Sequence, residues 1–216
     1  SGFSEFNGKC FTLEGEGSDI DGKRDSFHFA YVPFTGEGTI TARIVRPMSS
    51  QWTKPGVMMR ETLEAGSRHA SVLLLPHWRG ALVARSEIGG ETTFRGDRNL
   101  GEEHIVKKNR LNTPYWVRLI RFRNRFTGYM SPDGFHWQEL GSIEIAMNRT
   151  FYVGLPACSQ LDKVTTTVTY DNVSIPVWRS SNGNRQITSR PEPRRHRDPW
   201  LKRHNAFNER VMQGNV

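Results

Sequence analysis

PYWVRLIRFRNRFTGYMSPDGFHWQELGS, residues 114–142, is the stretch whose reading decides the fold. It holds three short segments rich in β-branched and aromatic residues: YWVRLIRF, RFTGYMS and FHWQELG. Arg123-Asn124 separates the first two, and Ser131-Pro132-Asp133-Gly134 separates the second and third. Alternating side chains bounded by turn residues at this spacing predict a three-stranded antiparallel meander. A two-residue turn at Arg123-Asn124 sets Arg118 opposite Tyr129, and a four-residue loop at 131–134 sets Tyr129 opposite His136. The expected result is one cross-strand row, Arg118–Tyr129–His136, on one face of a sheet.

The same two-residue period continues outward on both sides. GTITARIV (38–45) places Ile40, Ala42 and Ile44 on one face. PGVMMRETL (55–63) sets Val57, Met59 and Leu63 against Met58, Arg60 and Thr62. HASVLLLP (69–76), GALVARSE (80–87), TFYVGLPAC (150–158) and VTTTVTYDNVSI (164–175) complete the set. No amphipathic helical stretch interrupts them, so residues 5–177 are expected to form an all-β, two-sheet antiparallel jelly-roll sandwich. After Pro176 the character changes. Residues 178–197 form a polar, basic, proline-broken linker. Residues 198–216 read as a short helix, with Asp198 at the N-cap, Pro199 in the first turn, and Trp200, His204, Phe207 and Val211 on one stripe.

The formal charge of +8 is unevenly placed. Residues 1–176 carry 21 Lys and Arg against 19 Asp and Glu, whereas residues 177–216 carry 9 against 3. A basic face on a folded module is the footprint of nucleic-acid binding, and the body offers none, so neither a nucleic acid nor a membrane is an expected partner. Two cysteines, Cys10 and Cys158, make no framework; a disulfide between them and a buried thiol at Cys158 both stay open.

The segments at 17–44, 52–74, 114–142 and 151–175 resemble the concanavalin-A-like lectin/glucanase superfamily, and more narrowly an uncharacterised bacterial subfamily of laminin-G-like jelly rolls. That resemblance implies a secreted or periplasmic module attached to a carbohydrate-active enzyme. WLKRHNAFNERVMQGNV (200–216) is similar to the lead-in helix of GDSL-type (SGNH) hydrolases. It implies a covalently linked hydrolase domain whose catalytic serine would lie beyond residue 216. The Gly-Asp-Ser turn of that family is absent here, so no hydrolytic residue is carried over.

Jelly-roll glycosidases act through two facing carboxylates. Here Glu14-Glu16, Asp19-Asp21-Asp25 and Glu139-Glu144 do not sit centrally beside aromatics in an apolar strand. Glu61 is central but alone, and is read as an ion-pair partner of a nearby arginine. SPDGFHW (131–137) is one residue short of the Asp box of sialidases and is read as a turn. No catalytic residue is therefore expected, and the chain is read as a non-catalytic, carbohydrate-binding accessory module. The alternatives are a structural or protein-interaction module and, more weakly, a jelly-roll glycosidase or lyase. Sugars are gripped by flat aromatics and by planar polar groups that fork onto hydroxyls. The expected lining of a concave groove is Arg60, Arg118, Tyr129, His136, Trp78, His28, Arg85 and Trp52. No cofactor is expected beyond a structural Ca²⁺, which the superfamily resemblance places between an early loop and the last strand, on Asp21, Asp25 and Asp171.

Overall fold

A computed structural model describes residues 2–46, 53–75, 79–95, 105–106, 110–111, 114–176 and 212–216. In chain order the strands are β1 (Gly2–Phe6), β2 (Cys10–Gly17), β3 (His28–Thr35), β4 (Gly38–Arg46), β5 (Gly56–Arg60), β6 (His69–Leu75), β7 (Arg79–Arg85), β8 (Thr93–Arg95), β9 (Ile105–Val106), β10 (Arg110–Leu111), β11 (Tyr115–Phe122), β12 (Arg125–Ser131), β13 (Gln138–Glu144), β14 (Thr150–Ala157), β15 (Leu161–Ser174) and β16 (Met212–Asn215). Two seven-stranded antiparallel sheets form a jelly-roll sandwich, as the alternation predicts. Sheet one runs β1-β2-β15-β4-β11-β12-β13, and sheet two runs β16-β3-β14-β5-β6-β7-β8.

Alternate residues of both sheets meet between the layers. Leu13, Ile40, Ala42, Ile44, Val117, Leu119, Phe126 and Met130 come from sheet one, and Val57, Met59, Val72, Leu82, Val153 and Leu155 from sheet two. All are almost wholly buried, each worth about 1.5–3 kcal/mol for a large apolar side chain. Sheet two carries a second apolar layer on its other face. There Phe29, Tyr31, Met58, Leu73 and Val83 pack beneath Ile20 and Phe27, which come from the segment leading into β3. That face is therefore covered by the chain itself. The outer face of sheet one carries the polar half of each strand.

The C-terminal segment departs from the expected helix. Met212–Asn215 form a strand that pairs antiparallel with β3, from Met212 opposite Tyr31 to Asn215 opposite His28. Val216 continues the pairing, exchanging backbone hydrogen bonds with Phe27 at 3.0 and 3.2 Å, and packs into the second apolar layer. For these last residues an open β3 edge with unpaired N–H and C=O groups is a stronger template than the fraying end of a helical pattern. The linker at 178–197 and the helix start at Asp198 lie outside the described residues.

Candidate functional site

Five of the expected ligand residues lie on sheet two or outside the described residues. Arg60 and Arg85, both fully buried, project from β5 and β7 onto the covered face and close on Asp25. Arg60 Nη1 donates to Asp25 Oδ2 at 2.6 Å, and Arg85 donates through both terminal nitrogens at 2.7 Å. Arg60 also donates to the Glu64 carbonyl. Arg85 reaches the carbonyls of Gly22, Ala65, Ser67 and Gly90. The pair thus ties the segments around 19–25, 61–68 and 86–92 to the sheet. Neither arginine is available to a ligand, which corrects both assignments: a buried guanidinium needs compensation, and the chain's own carboxylate and carbonyls supply it at every terminal nitrogen, leaving only Arg60 Nε without a partner. Trp52 and Trp78 lie outside the described residues.

The charge balance of this cluster follows from its burial. Burial alone would raise the Asp25 carboxyl, but the hydrogen bond from Arg85 and the charge of Arg60 outweigh it and hold it below its ordinary value. Burial drives the His69 imidazole down to about 3, against the pull of Asp25, so His69 is neutral at physiological pH. Its Nδ1 meets Ser71 Oγ at 3.1 Å.

His28 is buried too. It sits between Ser4 Oγ at 2.8 Å and Asn215 Oδ1 at 3.4 Å, a structural link between β1, β3 and β16 and not a ligand residue. The calcium set is likewise not brought together. Asp25 is enclosed by two arginines on the outer face of sheet two. Asp171 is paired with Arg43 on the outer face of sheet one, with Arg43 Nε 2.7 Å from Asp171 Oδ1. Asp21 caps the Gly22 amide at 2.7 Å. Two of the three carboxylates are already neutralised, on opposite sides of the molecule, so they cannot converge on one ion. Among the described residues no three His, Cys, Asp or Glu form a metal cluster. Cys10 and Cys158 are both free, Cys158 being buried in the second apolar layer.

The meander holds the rest of the expected set. Arg118 lies opposite Tyr129, as the two-residue turn predicts; Arg123 adopts the positive φ of 56° that such a turn requires. Tyr129 lies opposite Glu139 and not His136, because the ladder shifts at Gly128/Tyr129 and β13 begins only at Gln138. The cause is Asp133. Its Oδ1 accepts the amides of Phe135 and His136 at 2.8 Å each, and its Oδ2 meets His136 Nδ1 at 2.6 Å, so the loop is longer than four residues. Those hydrogen bonds, first from the His136 ring and then from the two amides, hold the Asp133 carboxyl well below its ordinary range. His136 is displaced from the row, with its side chain 89% exposed.

Two rows cross the outer face of sheet one. The first runs Asp171–Arg43–Trp116–Ser131, and the second runs Ser174–Thr41–Arg118–Tyr129–Glu139. Trp137, just before β13, folds onto the second row. The Arg118 guanidinium carbon stands 3.7 Å from the centre of the Trp137 ring, and Arg118 Nε donates to Thr41 Oγ1 at 3.1 Å. The Trp137 indole N–H is spent on the Gly134 carbonyl at 3.0 Å. Trp116 lies over Gly134, where a Cβ would come within 2.8 Å of the indole. Arg43 approaches the Trp116 ring at 5.7 Å. Burial raises the Tyr129 phenol, and Glu139, to which it is hydrogen-bonded, adds to the shift. Trp116, Arg118, Tyr129 and Trp137 are all half-buried, so each shows part of its surface to solvent. Trp116 and Trp137 are missing from the lining expected from the sequence. Their parity with Arg118 and Gln138–Glu139 on the polar side of the meander was the signal that could have placed them outside. Glu61, read as an ion-pair partner, does pair with Arg68 at 3.1 Å and accepts the Asn148 amide at 2.7 Å.

No protein-family model matches this chain, and no curated protein matches it. Among solved structures it is similar to a functionally unknown protein from Saccharomyces cerevisiae, at 16% identity and a TM-score of 0.61, over 82% of this chain and 93% of that one. It is also similar, at a lower TM-score of 0.46 and 11% identity, to the carbohydrate-binding module CBM66 from Bacillus subtilis, over 82% and 92% of the two chains. A kappa-carrageenase from Pseudoalteromonas carrageenovora, bound to an oligotetrasaccharide of kappa-carrageenan, aligns at 13% identity and a TM-score of 0.47, over 80% and 81%. At these identities the likeness is one of fold.

Proposed function

We propose that this chain is a non-catalytic carbohydrate-binding module, and that its ligand lies on the outer face of sheet one across Trp116, Arg118, Tyr129 and Trp137. The observation that carries this reading is the stacked Arg118–Trp137 pair, set in one row with Tyr129 and Glu139. Such a row offers what a sugar needs. Flat rings receive the C–H faces of a pyranose, and the guanidinium, phenol and carboxylate edges exchange hydrogen bonds with its hydroxyls.

Support for a non-catalytic role comes from how the acids are used. Asp25 is held by two arginines, Asp171 by Arg43, and Glu61 by Arg68 and a backbone amide. A hydrolytic pair needs one acid free to ionise and another free to donate. In our reading the module works outside the cell by tethering, raising the local concentration of a polysaccharide around a covalently linked hydrolase domain. The support for that linkage is the likeness of residues 200–216 to the lead-in of GDSL-type hydrolases.

A glycan microarray probed with the purified chain and with Trp137→Ala tests the reading. Binding that is lost in Trp137→Ala, with the melting temperature retained, is the expected result. Silence across the array, or binding unaffected by both Trp137→Ala and Trp116→Ala, overturns it.

A further inference from the structure

We infer that the glycan taken by this face is acidic, with a uronate carboxylate seated on Arg118; the inference rests on the binding reading above. Arg118 is the one cation of the two rows that lacks an anionic partner among the described residues. Arg43 is matched by Asp171. On the acidic side, Glu139 is taken by the Tyr129 phenol, and Asp133 by His136 and two amides. What Arg118 has is a neutral hydroxyl, Thr41 Oγ1, on Nε, and the Trp137 ring against its face. Neither supplies a charge, and neither uses the four N–H groups on the two terminal nitrogens.

The way Arg118 is held adds a second, independent argument. A guanidinium stacked flat on an indole keeps its in-plane edge clear, and that edge is where a carboxylate docks with two parallel hydrogen bonds. Here Thr41 holds Nε at 3.1 Å and the Trp137 ring centre stands 3.7 Å from the guanidinium carbon, so the side chain is held from two directions before any ligand arrives. Holding a long side chain in one geometry removes much of the entropic cost of binding. Arg118 is also half-buried on the sheet, and burial is the main influence lowering its affinity for a proton. It stays charged regardless, since arginine does not deprotonate in proteins. A half-desolvated cation held in place without an anionic partner gains more from a carboxylate than from a neutral hydroxyl. Trp116 and Tyr129, the neighbours of Arg118 on the adjoining row and strand, are then placed to receive the sugar ring that carries the acid.

The test is direct titration calorimetry of the full chain with tetrasaccharides of galacturonate, of mannuronate and of guluronate. Each is run against its methyl-esterified counterpart, which keeps the shape and removes the charge. At least one free acid should bind about tenfold or more tightly than its ester, and Arg118→Gln should abolish that difference while leaving the melting temperature intact. Arg118→Lys should restore only part of it, because an ammonium lacks the planar fork. Equal affinity for acid and ester, or an unchanged preference in Arg118→Gln, overturns the inference. If none of the six bind while neutral glycans on the microarray do, the acidic-ligand inference fails and the binding reading stands. If nothing binds in either experiment, both fail.

Discussion

Arg85 grips Asp25 with both terminal nitrogens, 2.7 Å to each carboxylate oxygen, and neither side chain meets solvent. With Arg60 on the same carboxylate, two positive charges are balanced by one acid and by a ring of carbonyls. Removing the acid strands both cations in the interior. Asp25→Asn is therefore expected to lower unfolding stability by about 3–5 kcal/mol, read from urea denaturation. A change no larger than that of an ordinary surface substitution would show that the cluster is solvated.

Acid should weaken this protein well above the carboxylate range. The His69 pKa is about 3 in the folded chain against 6.5 unfolded, and His28 is shifted the same way by burial. Between those values the unfolded chain binds a proton that the folded chain refuses. The contribution is thus complete above pH 6.5 and is lost as pH falls toward 3. Asp25 adds a further loss below its ordinary value of 3.8. The urea midpoint should fall between about pH 7.5 and about pH 5, and His69→Gln should flatten that slope. An identical slope in the variant would contradict the assignment.

Gly134 has a φ of +79°, and a side chain there would strike the Trp116 indole. Gly134→Ala should cost about 1–3 kcal/mol of stability and weaken glycan binding together, because the same turn carries Trp137. Circular dichroism melts and calorimetry on one sample report both effects.

Burial pushes the Cys158 thiol up to about 12, whereas Cys10 is partly exposed. Since the thiolate is the reactive form, native protein should titrate promptly as one thiol. The second should appear only in denaturant. Two prompt thiols would mean that the second apolar layer opens readily.

Deleting residues 212–216 uncovers the β3 edge and removes the Asn215 partner of His28. The melting temperature should fall by roughly 2–8 °C, and light scattering should reveal self-association through the bare edge.

The meander was readable because its information is local. Arg123-Asn124 fixes the register of β11 and β12 within two residues, and the Arg118–Tyr129 pair follows from it. The next pair failed because the Asp133 side chain captures two amides and lengthens the loop, which the SPDG pattern alone does not reveal. Arg60, Arg85 and Arg118 look alike in sequence, each following an apolar residue in an alternating segment. What separates them is which sheet each strand joins, a long-range choice that strand alternation does not encode. The value of Asp25 was hidden for the same reason: its partners stand 35 and 60 positions away in the chain. The helix expected at 198–216 illustrates a further limit, since the unsatisfied rim of β3 claims the last residues for a ladder.

β1 and β16 stand at corresponding ends of their sheets, whereas Arg118, Tyr129 and Trp137 gather toward the opposite end of sheet one. Cargo spliced ahead of Gly2 or behind Val216 would consequently leave from the flank remote from the aromatic rows. On the proposed binding reading, the sandwich would then act as a spacer with polarity, meeting a polymer by one broad side while anything fused to either end stays clear of it.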